Sequence, residues 1–178
     1  MLDSVLWARD KYLKKDGLVF PDRAVMKICA IEDGDYRKEK IDFWDNVYGF
    51  DMKCIKQTAL LEPLVDTVEN DAVITNQSEL YNIDIRTVKV EQLAFKKDFK
   101  VVFNRDDTCH AIVVHFDTIF DHGLDTKIKF GTGPDDEYTH WKQTVFYLND
   151  IMRVSCGDTL TGTISSKPNA GNPRDLDI

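Results

Sequence analysis

Residues 137–150, EYTHWKQTVFYLND, set a hydroxyl, an imidazole and an indole side by side, Thr139, His140 and Trp141, at the mouth of a strand-like run from Thr144 to Leu148. A histidine beside a tryptophan at such a place can be packing, a pocket wall or part of a catalytic relay, and spacing alone leaves all three open. The other histidines lack the spacing of metal ligands, so no metal is expected. His110 and His115 differ by an odd number, which puts them on opposite sides of a regular strand. His115 and Asp117 read as a polar pair on one strand face, and His122 falls in a turn. Cys29, Cys54, Cys109 and Cys156 form no C-x-x-C pair, which suggests reduced thiols rather than a zinc site or a disulfide framework. The sequence contains no G-x-S-x-G elbow and no glycine-rich strand-to-helix turn for a nucleotide, so it carries no complete catalytic constellation.

The elements that must position the Thr-His-Trp segment are mostly strands. Leu2, Val5, Leu6 and Leu13 share one face at helical spacing, with Gly17 as a stop, and this apolar face calls for a body to pack against. GLVFPDR then breaks the pattern, and its Phe-Pro bond marks a domain junction that admits a cis peptide. A short strand follows over Ala24 to Ile31. From residue 33 the chain changes character. Ile41, Trp44 and Tyr48 predict one helix stopped at Gly49, and Met52, Ile55 and Ala59 predict another that ends before Pro63. Tyr36, Phe43, Trp44, Tyr48 and Phe50 concentrate five aromatics in this excursion, more apolar area than two short helices can enclose by themselves. Beyond Asp71 the runs YNIDIRTVKV, FKVVF, HAIVVHFDTIF, TKIKF, TVFYL and TLTGTISS alternate with turn clusters, the pattern of an antiparallel barrel or sandwich. The expected fold is mainly β, an antiparallel β-barrel or sandwich with an N-terminal helix and an inserted two-helix arm.

Composition bounds the function. A 43% hydrophobic chain of 178 residues can bury one ordinary core. No apolar run approaches the roughly 20 residues of a membrane span, and the start is not that of a secretory signal. Acidic residues outnumber basic ones by 31 to 23, a formal charge of −8, which disfavours direct nucleic-acid binding and would steer cationic partners inward.

Five collinear segments, SVLWARDKYLKKDGLVFPDRA, WDNVYGFDM, EPLVDTV, YTHWKQTVFY and PNAGNPRDLDI, resemble the carboxyl-terminal half of type I protein arginine methyltransferases. The resemblance implies four segments: residues 1–16 as the last helix of a Rossmann-type cofactor domain otherwise missing from this chain, 17–32 as junction and first barrel strand, 33–67 as a helical dimerisation arm, and 68–178 as the β-barrel. It also implies a cis peptide at Pro21. The family's S-adenosylmethionine motif and its two loop glutamates are absent, so the chain is expected to be part of a longer enzyme and to bind no cofactor alone.

The resemblance makes His140 a catalytic-site residue that bonds an acidic group of the missing half, with Thr139 and Trp141 shaping the substrate arginine pocket and Met1 beside the cofactor. An indole face suits a guanidinium, an attraction of roughly 0.5–2 kcal/mol. Tyr36, Phe43, Trp44, Tyr48 and Phe50 would serve a homodimer made by the arm. The implied activity is transfer of methyl groups from S-adenosylmethionine to basic Gly/Arg-rich proteins, giving monomethyl- and asymmetric dimethylarginine, in the cytoplasm or nucleus. Two other readings stand beside it: a catalytically inactive barrel paralogue acting as an assembly or activating subunit, and an unrelated β-sandwich ligand-binding module.

Overall fold

The computed structural model describes residues 2–178, and Met1, with the role the resemblance gives it, lies outside them. Helix α1 (Leu2–Tyr12) docks on the sheets through Leu6, which is fully buried against Ile85 and Val88. Arg9 adds a hydrogen bond from Nη1 to the Ile85 carbonyl at 2.6 Å. Val5 and Trp7 stay exposed, so only part of the expected apolar face is used within the chain. The Phe20–Pro21 peptide is cis, as the resemblance implies.

Strand β1 (Arg23–Ile31) lies between β3 (Ser78–Asp84) and β5 (Asp107–Phe120), antiparallel to both. The long β5 changes partner along its length, pairing with β7 (Gln143–Val154) over Asp107–Val114 and with β6 (Ile128–Gly131) over Asp117–Phe120. On the far side of β7 lies β2 (Leu64–Asp66), so residues 64–66, within the segment assigned to the arm, belong to the sheet. A second sheet runs β4 (Phe95–Val102), β8 (Thr159–Pro168), β9 (Leu176–Asp177). The sheets close over Ile28, Leu80, Phe99 and Val101, with Ile112, Val114, Leu160 and Ile164 completing the layer. Gly162 faces Phe99 across the β4–β8 ladder, and a methyl there would lie 2.7 Å from Phe99 Cζ, so the glycine makes room for the ring. The result is the mainly antiparallel β architecture that strand spacing suggests.

Three local expectations change. The helix read through Tyr48 ends earlier: α2 (Gly34–Tyr36) widens into a π turn over Arg37–Ile41, tightens into a 3-10 turn over Asp42–Asp45, and leaves the helical path at Asn46. Asn46 accepts a hydrogen bond at 2.8 Å from the Gly49 N–H, a side-chain bond that competes with helical pairing, and Tyr48 (φ 53°) and Gly49 (φ 95°) turn the chain back. Helix α3 (Lys53–Leu61) follows. The strand read through YNIDIRTVKV stops at Asp84, whose carboxylate accepts from the Arg86 N–H and whose carbonyl accepts from Val88, curling Ile85 and Val88 under α1. Finally, a register shift between Cys109 and Ala111 breaks strand alternation. Cys109 joins Ala30 and Phe103, Ala111 and Val113 join the cluster under the arm, and odd spacing no longer fixes where His110 lies relative to His115. Among the described residues no helix is long and apolar enough to cross a membrane.

Candidate functional site

The Thr-His-Trp segment sits in the turn between β6 and β7, and both of its flanks are fastened. The Lys142 N–H donates to the Thr139 carbonyl at 3.1 Å, closing a turn around His140 and Trp141, with Lys142 at φ 53°. Lys142 Nζ reaches Asp66 Oδ1 at 2.7 Å, and this contact raises the lysine's pKa and lowers the carboxyl's. Gln143, buried, accepts from the Val68 N–H and donates to the Thr132 carbonyl, both at 2.7 Å. Thr132 in turn donates its hydroxyl to the Phe116 carbonyl at 3.0 Å. An amide bonded at both ends in a buried site has one orientation, so the start of β7 is fixed before any ligand arrives.

Of the three predicted residues, His140 and Trp141 are presented together on the surface, and the Thr139 hydroxyl is turned inward. His140 is exposed, its ring centroid 4.2 Å from that of Trp141, whose indole is 49% exposed. Trp141 stacks on Phe130 at 5.9 Å and meets Phe116 edge-on at 6.0 Å. Phe130 continues to Phe120 and Phe120 to Phe20, at 6.4 and 6.1 Å. The indole is therefore the end of an aromatic shelf running back to the junction. Thr139 is partly buried, and its Oγ1 has no hydrogen-bond partner among the described residues. The half-exposed indole, with the imidazole close against it, forms an aromatic surface that can attract a flat cation, while the Thr139 hydroxyl is buried behind it. Sequence reasoning missed Phe20, Phe130 and Gln143. A polar residue at an inward position of β7 was the one signal that could have found Gln143.

The arm's aromatics divide into root and tip. Tyr36 stacks on Tyr147 at 4.9 Å and 11°, and the Tyr147 hydroxyl donates to Asp33 Oδ2 at 2.5 Å. Burial, then this bond, pushes the phenol's pKa upward. Buried Arg37 donates to the carbonyls of Leu148 and Asn149 and to Asp42. Phe43 and Trp44 meet edge-on at 5.4 Å. Tyr48 and Phe50, by contrast, are 92% and 73% exposed. Tyr36 is thus packing at the root, and the open apolar area lies at the tip.

The fold has known counterparts. Residues 22–178 match the family described as the arginine methyltransferase oligomerization subdomain. The chain is 52% identical over 178 residues to protein arginine N-methyltransferase 1 of Schizosaccharomyces pombe, covering all of this chain and 52% of that protein. It is 49% identical to protein arginine N-methyltransferase 1 of Chlamydomonas reinhardtii, covering 51% of it. It thus spans about half the length of the curated relatives it matches. A chain of the Trypanosoma brucei PRMT1 enzyme-prozyme heterotetrameric complex with AdoHcy superimposes with a TM-score of 0.95 at 41% identity, covering 99% of this chain and 56% of that one. With its antiparallel barrel and inserted arm, the chain belongs to the protein arginine methyltransferase family, as its oligomerization subdomain.

Proposed function

We propose that this chain supplies the barrel and dimerisation arm of an S-adenosylmethionine-dependent protein arginine methyltransferase that forms monomethyl- and asymmetric dimethylarginine. The observation that carries the reading is the exposed Trp141 indole at the end of its shelf, flanked by His140, in a chain about half identical to such enzymes throughout. The residues of this chain do not fit the cofactor, because they include no glycine-rich turn opening a helix. The work of this chain is to bind and orient. A guanidinium is planar, permanently charged and weakly nucleophilic, so reaction depends on holding one nitrogen in line with its target. The half-exposed Trp141 indole is the aromatic wall beside which that plane is held. In this reading His140 bonds a carboxylate across the domain boundary, and Lys142 and Gln143 hold the loop in register.

The formal charge of −8 favours basic Gly/Arg-rich substrates. The arm's exposed tip serves a homodimer, and the chain alone binds no cofactor. A cytoplasmic or nuclear location belongs to the same proposal. The test is an assay of the protein carrying whatever coding sequence lies ahead of residue 1, with labelled S-adenosylmethionine and a Gly/Arg-rich peptide. Asymmetric dimethylarginine on amino-acid analysis supports the reading; a symmetric product, or none, sinks it. A second reading draws on the structural likeness to a complex described as enzyme and prozyme: the chain belongs to a subunit that activates a partner. An inactive protein that restores turnover when mixed with an active paralogue would favour this one.

A further inference from the structure

Folding brings Asp136 beside His115 and Asp117, which already share one strand face. His115, Asp117 and Asp136 each offer a ligand atom, and these atoms all lie within 4.8 Å of one another. We propose that His115, Asp117 and Asp136 form a binding site for a divalent transition-metal ion. His115 is 3% exposed and neither ring nitrogen has a hydrogen-bond partner among the described residues. Asp117 is 2% exposed, and its Oδ1 is likewise unpartnered. Buried polar atoms left unsatisfied cost about 1–3 kcal/mol each, so an imidazole nitrogen and a carboxylate oxygen in this state, side by side, point to a shared ligand.

The surroundings fit a cation site. The loop carrying Asp136 lies directly on the imidazole because it is built from glycines. A methyl group at Gly133 would lie 2.7 Å from His115 Cε1, and one at Gly131 only 2.0 Å from Asp136 Oδ2. Asp136 is exposed and gives an ion a path in from solvent. Two ammonium groups argue the other way: Lys27 and Lys129 hold Asp117 Oδ2 at 2.7 and 2.8 Å. They leave Oδ1 free, however, and both are partly exposed. Asp117, Asp135 and Asp136 outnumber them, so the pocket stays net negative. Burial, then the charge of Lys27, lowers the His115 pKa, which keeps a ring lone pair available. One imidazole and two carboxylates suit Zn²⁺ or Mn²⁺ better than all-oxygen Mg²⁺ and Ca²⁺ sites or thiolate-bound Cu⁺. An ion there would tie the loop over residues 133–136 to β5, just ahead of Thr139.

Calorimetry with ZnCl₂ tests this on the chain carrying Cys54→Ser and Cys156→Ser, which removes the exposed thiols as competing ligands. One ion should bind per chain. Asp136→Asn keeps an oxygen to accept from the Gly133 N–H at 3.0 Å and should weaken binding at least tenfold. His115→Phe should abolish both zinc binding and the visible bands of the Co²⁺ form. No binding to the parent chain, or binding unchanged in Asp136→Asn, overturns the proposal. Because Asp136 is exposed, that variant decides the matter even if His115→Phe does not fold.

Discussion

Arg37→Met should detach the root of the arm at a cost that the geometry allows one to estimate. The guanidinium is buried and directs its donors at β7 carbonyls in the break in its pairing with β5, between Tyr147 and Met152. Nη1 bonds Leu148, Nη2 bonds Asn149 at 2.9 Å, and Nε bonds Asp42 Oδ1 at 3.2 Å. Hydrogen bonds from a charged group contribute about 1.5–3 kcal/mol each. Asn149 is an exposed residue, so water can replace part of its bond, and its share falls at the low end. Asp42 keeps Lys56 at 2.8 Å after the substitution, and a partly exposed pair of that kind adds about 1 kcal/mol. Methionine retains most of the stem's packing. The expected loss is therefore about 2–4 kcal/mol. At a urea slope of roughly 2–3 kcal/mol/M the unfolding midpoint should fall by about 1 M. Arg86→Met provides the comparison: Arg86 bonds Asp84 at 2.7 Å with both side chains about a third exposed, and its loss should cost under about 1 kcal/mol. If Arg37→Met costs less than about 0.5 kcal/mol, or no more than Arg86→Met, the arm is not anchored through this guanidinium.

Three further outcomes are expected. His140→Ala should change the chain's stability by less than about 0.5 kcal/mol, since the ring is exposed, whereas Trp141→Ala should cost about 1–2 kcal/mol because the indole is half buried against Phe116 and Phe130; equal melting shifts for the two would contradict the shelf. Gly162→Ala should cost about 1–3 kcal/mol by displacing Phe99, measured by urea unfolding, and Gly162→Ala combined with Phe99→Leu should recover part of it; a neutral single substitution would mean the ring moves freely. Burial pushes the thiol of Cys29 up to about 12 and that of Cys109 to about 11, against about 8.5 in an unfolded chain. Folded pKa values above unfolded ones contribute stability that is complete below about pH 8.5 and is lost as pH rises through 11 to 12. Cys29→Ala should therefore flatten the fall in urea midpoint between pH 8 and pH 11, and an unchanged slope would remove Cys29 from the cause.

What the sequence disclosed follows from which interactions are local. Strand alternation depends on near neighbours, so the runs around β5, β7 and β8 were legible, as were the turn clusters between them. The failures sit where a distant or polar contact overrides the local pattern. Ile41, Trp44 and Tyr48 keep helical spacing, but Asn46 bonds Gly49 and Arg37 reaches across to residues 148 and 149, so the turn widens and the helix stops. The alternation in YNIDIRTVKV continues past Asp84, but that carboxylate caps a turn instead. The candidate site divides the same way. Thr139, His140 and Trp141 are adjacent in sequence and could be singled out, whereas the shelf beneath them joins Phe20, Phe116, Phe120 and Phe130 from the junction and two strands.

The same division explains how one short loop can serve a binding surface without a large core of its own. The residues that face outward, His140 and the open half of Trp141, are held by neighbours that face inward: Gln143 between Val68 and Thr132, and Thr132 on Phe116. Gln143 can make those two bonds only if the loop around residue 68 returns from the arm, over β2, to lie beside β7. Thus the buried amide, together with the β2–β7 ladder and the Lys142–Asp66 contact, ties the path of the arm to the register of the loop. Movement of the arm's root would reach Trp141 through β2 and Gln143, so a substitution at Arg37 is expected to act on the exposed indole without touching it.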